Sequence, residues 1–557
     1  MTTASGEPKP GWSEAISLGD LLLREAGASG ESTALVTPEA HYTYADLAGR
    51  ARRVARNLIG AGVGHGDHVG MLQPNGVEAL ATIFGVALAG AVLVPINTRF
   101  RAAELRHILA SGDLAAILTT DPNRSHLDFV ELLGQALPEL GSAREPLAIG
   151  IEEAPRLRTI VALGGESAGP CLGGAEFEAL GERVSEAELD GRRARVALRD
   201  PALLLYTSGT TSAPRGCVIT HEGLVRNWTT VGRRLGMGPE DRVWNPLPLF
   251  HIGGIGITLL TLAHGACMLS DTHFEASAAV EMIAGERPTV LYPVFPPIMM
   301  AVINHPRFPD VDVSGVRAML TVGDPAMVRQ VQDAIPGAVH VSTYGLTETT
   351  GVTTYHDVED PLQLRMTTTG SPQPGVELRI VDPESGAQLD TGEAGEIRVR
   401  GWNLFAGYYG DKERTEAAFD AEGWLLTSDQ GKLDERGHLH FEGRLDEMIK
   451  VGGENVSPAE LEAFLAGHPA VHLAQVVGVP DPHLGEVAAA FLELKPGAAV
   501  SDEEVLGFCN GQIARFKIPR HVRLVEEWPM SATKVQKGTL RDRLVAELAG
   551  AGEGLAP

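Results

Sequence analysis

A chain of 557 residues is too long for one ordinary domain, and 44% hydrophobic against 21% charged residues is the balance of a globular protein with a large core, not a disordered one. The formal net charge of −26 argues against nucleic acid, whose backbone needs a basic face, but leaves room for a small phosphorylated ligand held locally by backbone N–H groups and a few cations. Four widely spaced cysteines (Cys171, Cys217, Cys267 and Cys509) argue against a zinc site or a disulfide framework and fit a reducing cytoplasm.

The N-terminus, MTTASGEPKPGWSEAIS, lacks a basic region followed by an apolar one, so no signal peptide is expected. Residues 79–98 run without a charge and are long enough to cross a bilayer. Gly85, Gly90 and Pro95 interrupt them, and the change from Ala-rich to VLVPI predicts a helix, a turn and a buried strand instead. From about residue 40 to 400, helical stretches alternate with short β-branched runs such as 92–96, 115–120 and 202–206. That alternation predicts an α/β fold with largely parallel sheets. Residues 131–200 show no firm periodicity. Beyond residue 445, helix starts at Ser457-Pro458-Ala459-Glu460 and Ser501-Asp502-Glu503-Glu504 have the form of capping boxes, and strands are expected at 474–479 and 487–494. These residues predict a smaller α+β domain following a hinge.

The strongest chemical motif follows the run 202–206. In Thr207-Ser208-Gly209-Thr210-Thr211-Ser212-Ala213-Pro214-Arg215-Gly216, small hydroxyl residues between glycines can close donors around phosphate oxygens, and Arg215 adds a cation. It is not a Walker loop, since the glycine spacing is wrong and no Lys-[Ser/Thr] follows. Nor is it a nucleophile elbow, because Tyr206 stands where the first glycine of GxSxG belongs. Taken alone, the run could be an ordinary turn. Four further motifs come in order: Tyr344-Gly345-Leu346-Thr347-Glu348, Trp424 to Asp429, Gly443-Arg444-Leu445-Asp446, and Lys450 to Pro458.

Together these five motifs resemble those of the adenylate-forming superfamily, which includes acyl-CoA synthetases, peptide-synthetase adenylation domains and beetle luciferases. The resemblance implies an ATP-dependent enzyme with a large N-terminal domain over 1–444 and a mobile C-terminal domain over 445–557. It implies roles for individual residues too. Thr207 to Thr211 and Arg215 would hold phosphates, and Tyr344, Gly345 and the turn Gly323-Asp324-Pro325 would hold adenine. Thr347 would donate to the α-phosphate, Glu348 would ligate Mg²⁺, and Asp429 and Arg444 would hold the ribose. Asp446 would be the hinge, and Gly452 and Gly453 would line a channel for CoA. Residues 529–537 resemble the catalytic-lysine segment, with Lys534 bridging carboxylate and α-phosphate; Lys537 is expected to be a solvated surface lysine.

The chain departs from the family pattern at Ser212, Arg215, Ser428 and Thr533, where glycine, lysine, glycine and glycine are usual. Residues 246–254 resemble the segment walling the acyl site. There Phe250 and His251 stand where an adenylation domain for amino acids would offer an Asp, with His251 either a gating group or a satisfied core histidine. With Val294 and Phe295 opposite, an apolar pocket for a fatty, aryl or alicyclic acid is expected. Free CoA is the expected acceptor. A ligase that passes its acyl group to an amine or carrier protein stays open, as do a regulatory AMP-binding homologue and a homodimer.

Overall fold

The computed structural model describes residues 16–120, 128–143, 145–167, 169–207, 214–323, 325–445, 447–451, 454–481, 483–531 and 534–550. Two large sheets dominate it. One runs Val339–Val341, Ala318–Thr321, Val290–Val294, Arg242–Trp244, Cys267–Leu269, Thr33–Val36 and His41–Thr43 in spatial order, all parallel except the last pair. The other runs Gly407–Tyr408, Arg215–Thr220, Pro201–Thr207, Val92–Pro95, His68–Leu72, Leu114–Thr120, Thr159–Leu163 and Cys171–Gly173. Its strands are parallel from Pro201–Thr207 onward, as the alternation predicts, but Arg215–Thr220 turns back antiparallel. One continuous apolar core draws on both sheets and on the helices Tyr44–Gly60, Val77–Leu88, His221–Arg234 and Ile252–Leu262.

The uncharged stretch resolves as expected. Val77–Leu88 is a helix buried on almost every side, Gly90 turns with φ of 75°, and Val92–Pro95 is a fully buried strand. Among the described residues no helix is long and apolar enough to cross a membrane. The stretch 131–200, illegible by periodicity, contains short elements: the strand Thr159–Leu163, the edge strand Cys171–Gly173, and the helices Gly174–Gly181 and Glu186–Arg193.

A four-stranded antiparallel sheet follows, in the order Val376–Val381, Gly395–Gly401, Leu425–Leu433 and Leu439–Arg444. The C-terminal residues build their own sheet around the antiparallel pair Val471–Asp481 and Gly485–Leu494, with a separate core. Of the two expected capping boxes, Ser501 and Glu504 form both bonds. At Ser457 only half the box is made: its hydroxyl accepts from the Glu460 N–H, whereas the Glu460 carboxylate pairs with Lys517 at 2.6 Å. A full charge partner outcompetes a neutral backbone N–H for the carboxylate.

Candidate active site

Three of the predicted nucleotide residues, Tyr344, Asp429 and Arg444, converge. Strands Leu425–Leu433 and Leu439–Arg444 pair Asp429 with Arg444, bringing the guanidinium Nε 3.3 Å from Asp429 Oδ1. Tyr344, on a short strand beside them, donates its hydroxyl to Asp429 Oδ2 at 2.7 Å. Burial first, then the adjacent Asp429 charge, pushes the Tyr344 hydroxyl well above its ordinary range, so it stays a donor. Phe441 stacks on the Tyr344 ring at 5.5 Å while remaining 42% exposed. Sequence reasoning missed Phe441. An aromatic residue three positions before Arg444 was the available clue.

The turn Thr347–Thr349 presents Thr347 and Glu348. It is fixed from below: Asn227 Nδ2 donates to the carbonyls of Thr349, Thr350 and Val352 at 3.3, 3.1 and 2.9 Å, and Trp228 Nε1 donates to Thr350 O. Gly345 is dictated by packing, since a Cβ there would sit 2.3 Å from the Gly351 carbonyl oxygen. Glu348 Oε1 accepts from the Tyr408 hydroxyl at 2.9 Å, and the Arg215 guanidinium lies 5.9 Å from the Tyr408 ring centre. Tyr408 thus links the acid to the base of the phosphate-loop candidate, whose stems Thr207 and Arg215 are directly paired. Ser208, Gly209, Thr210 and Thr211 lie outside the described residues, as do Asp324, Asp446, Gly452 and Gly453. Gly323 is exposed just before the helix Pro325–Ala334.

Among the described residues no group of three or more His, Cys, Asp or Glu side chains could hold a metal. A lone carboxylate at Glu348 still suits Mg²⁺, which takes one or two protein carboxylates and otherwise keeps water and substrate phosphate.

A cleft of about 190 Å³ opens among the segments 73–75, 98–99, 246–250, 272–274 and 295–298. Phe250, Phe295, Ile298, Pro246 and Pro248 give it an apolar wall, with Gln73, Thr98, Arg99 and His273 at its polar side. Of the four residues expected in the acyl pocket, Phe250 and Phe295 line this cleft, whereas His251 and Val294 stand beside them. His251 caps the helix Ile252–Leu262 through its backbone and packs its ring 4.7 Å from Phe250. Val294 carries φ of 55°, strained for a β-branched residue, and that turn aims Phe295. Asn75, which sequence reasoning passed over, clamps the wall: its Nδ2 donates to Leu247 O and its Oδ1 accepts from Leu249 N–H, both at 2.9 Å.

Lys534 lies in a two-residue strand paired with Met530–Ser531, and Met530 reaches the cleft. Lys537 corrects an expectation. It is not a solvated lysine but is half-buried against Glu462 at 2.8 Å, because the last helix docks on the C-terminal sheet.

Against this geometry, the AMP-binding enzyme family matches residues 22–409, and the AMP-binding enzyme C-terminal domain matches residues 460–534. The chain belongs to the AMP-binding enzyme family. It is 35% identical over 95% of its length to YngI of Bacillus subtilis (strain 168), a protein named provisionally as an acyl-CoA synthetase, of which it covers 97%. It is 32% identical over 93% of its length to the mitochondrial medium-chain acyl-CoA ligase ACSF2 of Rattus norvegicus, covering 85% of that protein. Among solved structures, the anthranilate CoA ligase AuaEII in complex with anthranoyl-AMP superposes with a TM-score of 0.84 at 27% identity, covering 98% of this chain and 99% of that one. This chain is thus an enzyme of the acyl-CoA synthetase and ligase class.

Proposed function

We propose that the chain activates an apolar carboxylic acid as acyl-AMP and then transfers the acyl group to CoA. The observation that carries this reading is the buried Tyr344–Asp429–Arg444 cluster, in a chain that also holds the Glu348 turn and an apolar cleft lined in part by Met530, a residue of the strand that pairs with Lys534. The substrate carboxylate attacks the α-phosphorus of ATP, the bond to the β-phosphate oxygen breaks, and pyrophosphate leaves. Arg215 and the loop before it hold the departing phosphates. Thr347 and Lys534 stabilise the charge gathering at the α-phosphate, and Asp429 with Arg444 holds the ribose. Catalysis in this step is positioning plus fixed charge. Mg²⁺ carried by the nucleotide would neutralise polyphosphate charge next to Glu348.

In the second half-reaction the CoA sulfur attacks the acyl carbonyl and AMP leaves. Residues 1–444 would stay fixed while 445–557 turn about Asp446, withdrawing Lys534 and bringing Gly452 and Gly453 to the thiol. The apolar wall without a carboxylate supports fatty, aryl or alicyclic acids over amino acids. Four buried free thiols agree with a reducing cytoplasm.

The test is nucleotide product analysis with ATP, Mg²⁺ and a panel of fatty, aryl, alicyclic and amino acids, with and without CoA. AMP and pyrophosphate in equal amounts, with an acyl thioester when CoA is present, is the expected result. ADP, or no turnover with any acid, overturns it. Lys534→Ala should lose acyl-AMP formation yet still convert supplied acyl-AMP and CoA to thioester.

A further inference from the structure

Met530 stands out among the cleft's residues because it comes from the far end of the chain. Its side chain is 47% exposed, unusual for a large apolar group, yet it lines a cleft whose apolar wall includes Phe250, Phe295 and Ile298. It also belongs to the smallest sheet among the described residues. Met530 pairs with Val535 and Ser531 with Lys534, antiparallel. The position of the Met530 side chain is therefore coupled through backbone hydrogen bonds to the position of the Lys534 backbone.

From this coupling we propose that Met530 is a specificity-determining residue that closes the acyl cleft over the tail of the acid during adenylation. The inference rests on the function proposed above. One hairpin then reads both ends of the substrate, Met530 meeting the apolar tail and Lys534 the carboxylate. An unbranched thioether side chain suits that task, since it adapts its shape to different apolar tails. A tail long enough to reach Met530 gains contact only while the hairpin is docked, so it favours the adenylating pose; a short acid gains nothing. Departure of the hairpin would uncover the tail and leave the cleft with one wall fewer for the thioester step. A ligand that binds one pose better shifts the population toward it, and by no more than that difference in affinity.

The experiment measures acid-dependent pyrophosphate release for the full-length parent, Met530→Ala and Met530→Leu across straight-chain acids from acetate to dodecanoate. Thioester formation from supplied acyl-AMP and CoA is measured in parallel. For Met530→Ala, KM for acids that fill the cleft should rise about five- to tenfold, KM for acetate and for ATP should move less than twofold, and the thioester half-reaction should keep its rate. Met530→Leu should recover most of the loss. An unchanged chain-length profile in Met530→Ala, with an active parent, overturns this inference alone. An equal rise for every acid including acetate also overturns it, because it marks a merely structural role. A parent that releases no pyrophosphate with any acid overturns the proposed function and this inference with it.

Discussion

Lys537 Nζ lies 2.8 Å from Glu462 Oε1 and 3.5 Å from Glu447 Oε2, so the first residue of the last helix is tied by charge to the helix Pro458–Ala466. Burial alone would pull this ammonium down, but the two carboxylates more than offset it and hold it above its ordinary range. Lys537→Met should destabilise the C-terminal unit by about 2–3 kcal/mol, somewhat below the cost of breaking a fully buried pair. The double variant with Glu462→Leu should recover most of that. Urea unfolding followed at the C-terminal transition checks it, and a single variant as stable as the parent contradicts it.

The hydroxyl of Tyr344 gives a second prediction. Tyr344→Phe keeps the ring against Phe441 but removes a donor from a buried carboxylate, a bond to a charged group worth about 1.5–3 kcal/mol. If Asp429 holds the ribose, KM for ATP should rise roughly tenfold while KM for the acid changes little. Steady-state kinetics with each substrate varied in turn decides this; a change confined to the acid would place the pair outside the nucleotide site.

Ser428 occupies the left-handed region at φ of 56°, immediately before Asp429. The family glycine absent here would adopt that conformation freely, whereas an L-residue there costs about 1–2 kcal/mol. Ser428→Gly should therefore stabilise the fold by about 0.5–1 kcal/mol after the added entropy of the unfolded chain. Ser428→Val should destabilise it, since a β-branched residue fits that region worst. The shift in denaturation midpoint measures both, and a stabilising Ser428→Val would contradict the strain.

Acid sensitivity follows from two buried histidines. Burial pulls His221 down to about 4 and His340 down to about 3. Both are neutral in the fold, and in the unfolded chain each binds a proton below about pH 6.5. The unfolded state thus holds more protons in that window, so stability falls as pH drops from about 6.5 toward 4, by up to about 1.4 kcal/mol per pH unit for each histidine. Nδ1 of His221 accepts from the Leu18 N–H, so His221→Asn can retain an acceptor while removing the titration. The slope of stability against pH in this window should be shallower in the variant, and an identical slope would show that His221 does not titrate on unfolding.

Local pattern carried some of this molecule and not the rest. The strands at 92–96, 115–120 and 202–206 were legible because fully buried parallel strands need continuous apolar side chains whatever their neighbours. Asp429 and Arg444 were legible as motif members, but their mutual contact was not, because it depends on the register between two strands. The roles of Tyr408 and Asn75 were hidden for the same reason: their partners, Glu348 and Leu247 with Leu249, are distant in sequence. Lys537 was misread because charge at a helix start gives no warning that the helix will dock over a carboxylate.

The strand Thr33–Val36 lies against Cys267–Leu269, with Leu35 opposite Met268. On the ribosome, its partner is made only some 230 residues later, roughly 10–50 s at synthesis rates of about 5–20 residues per second. Throughout that interval the early hairpin it forms with His41–Thr43 presents a row of unpaired backbone donors and acceptors along its inner edge. Slowed elongation between residues 44 and 266 would prolong that exposure. Aggregation during expression should therefore begin from this N-terminal hairpin, and a chaperone that shields sheet edges would be needed most before the second half of the chain emerges.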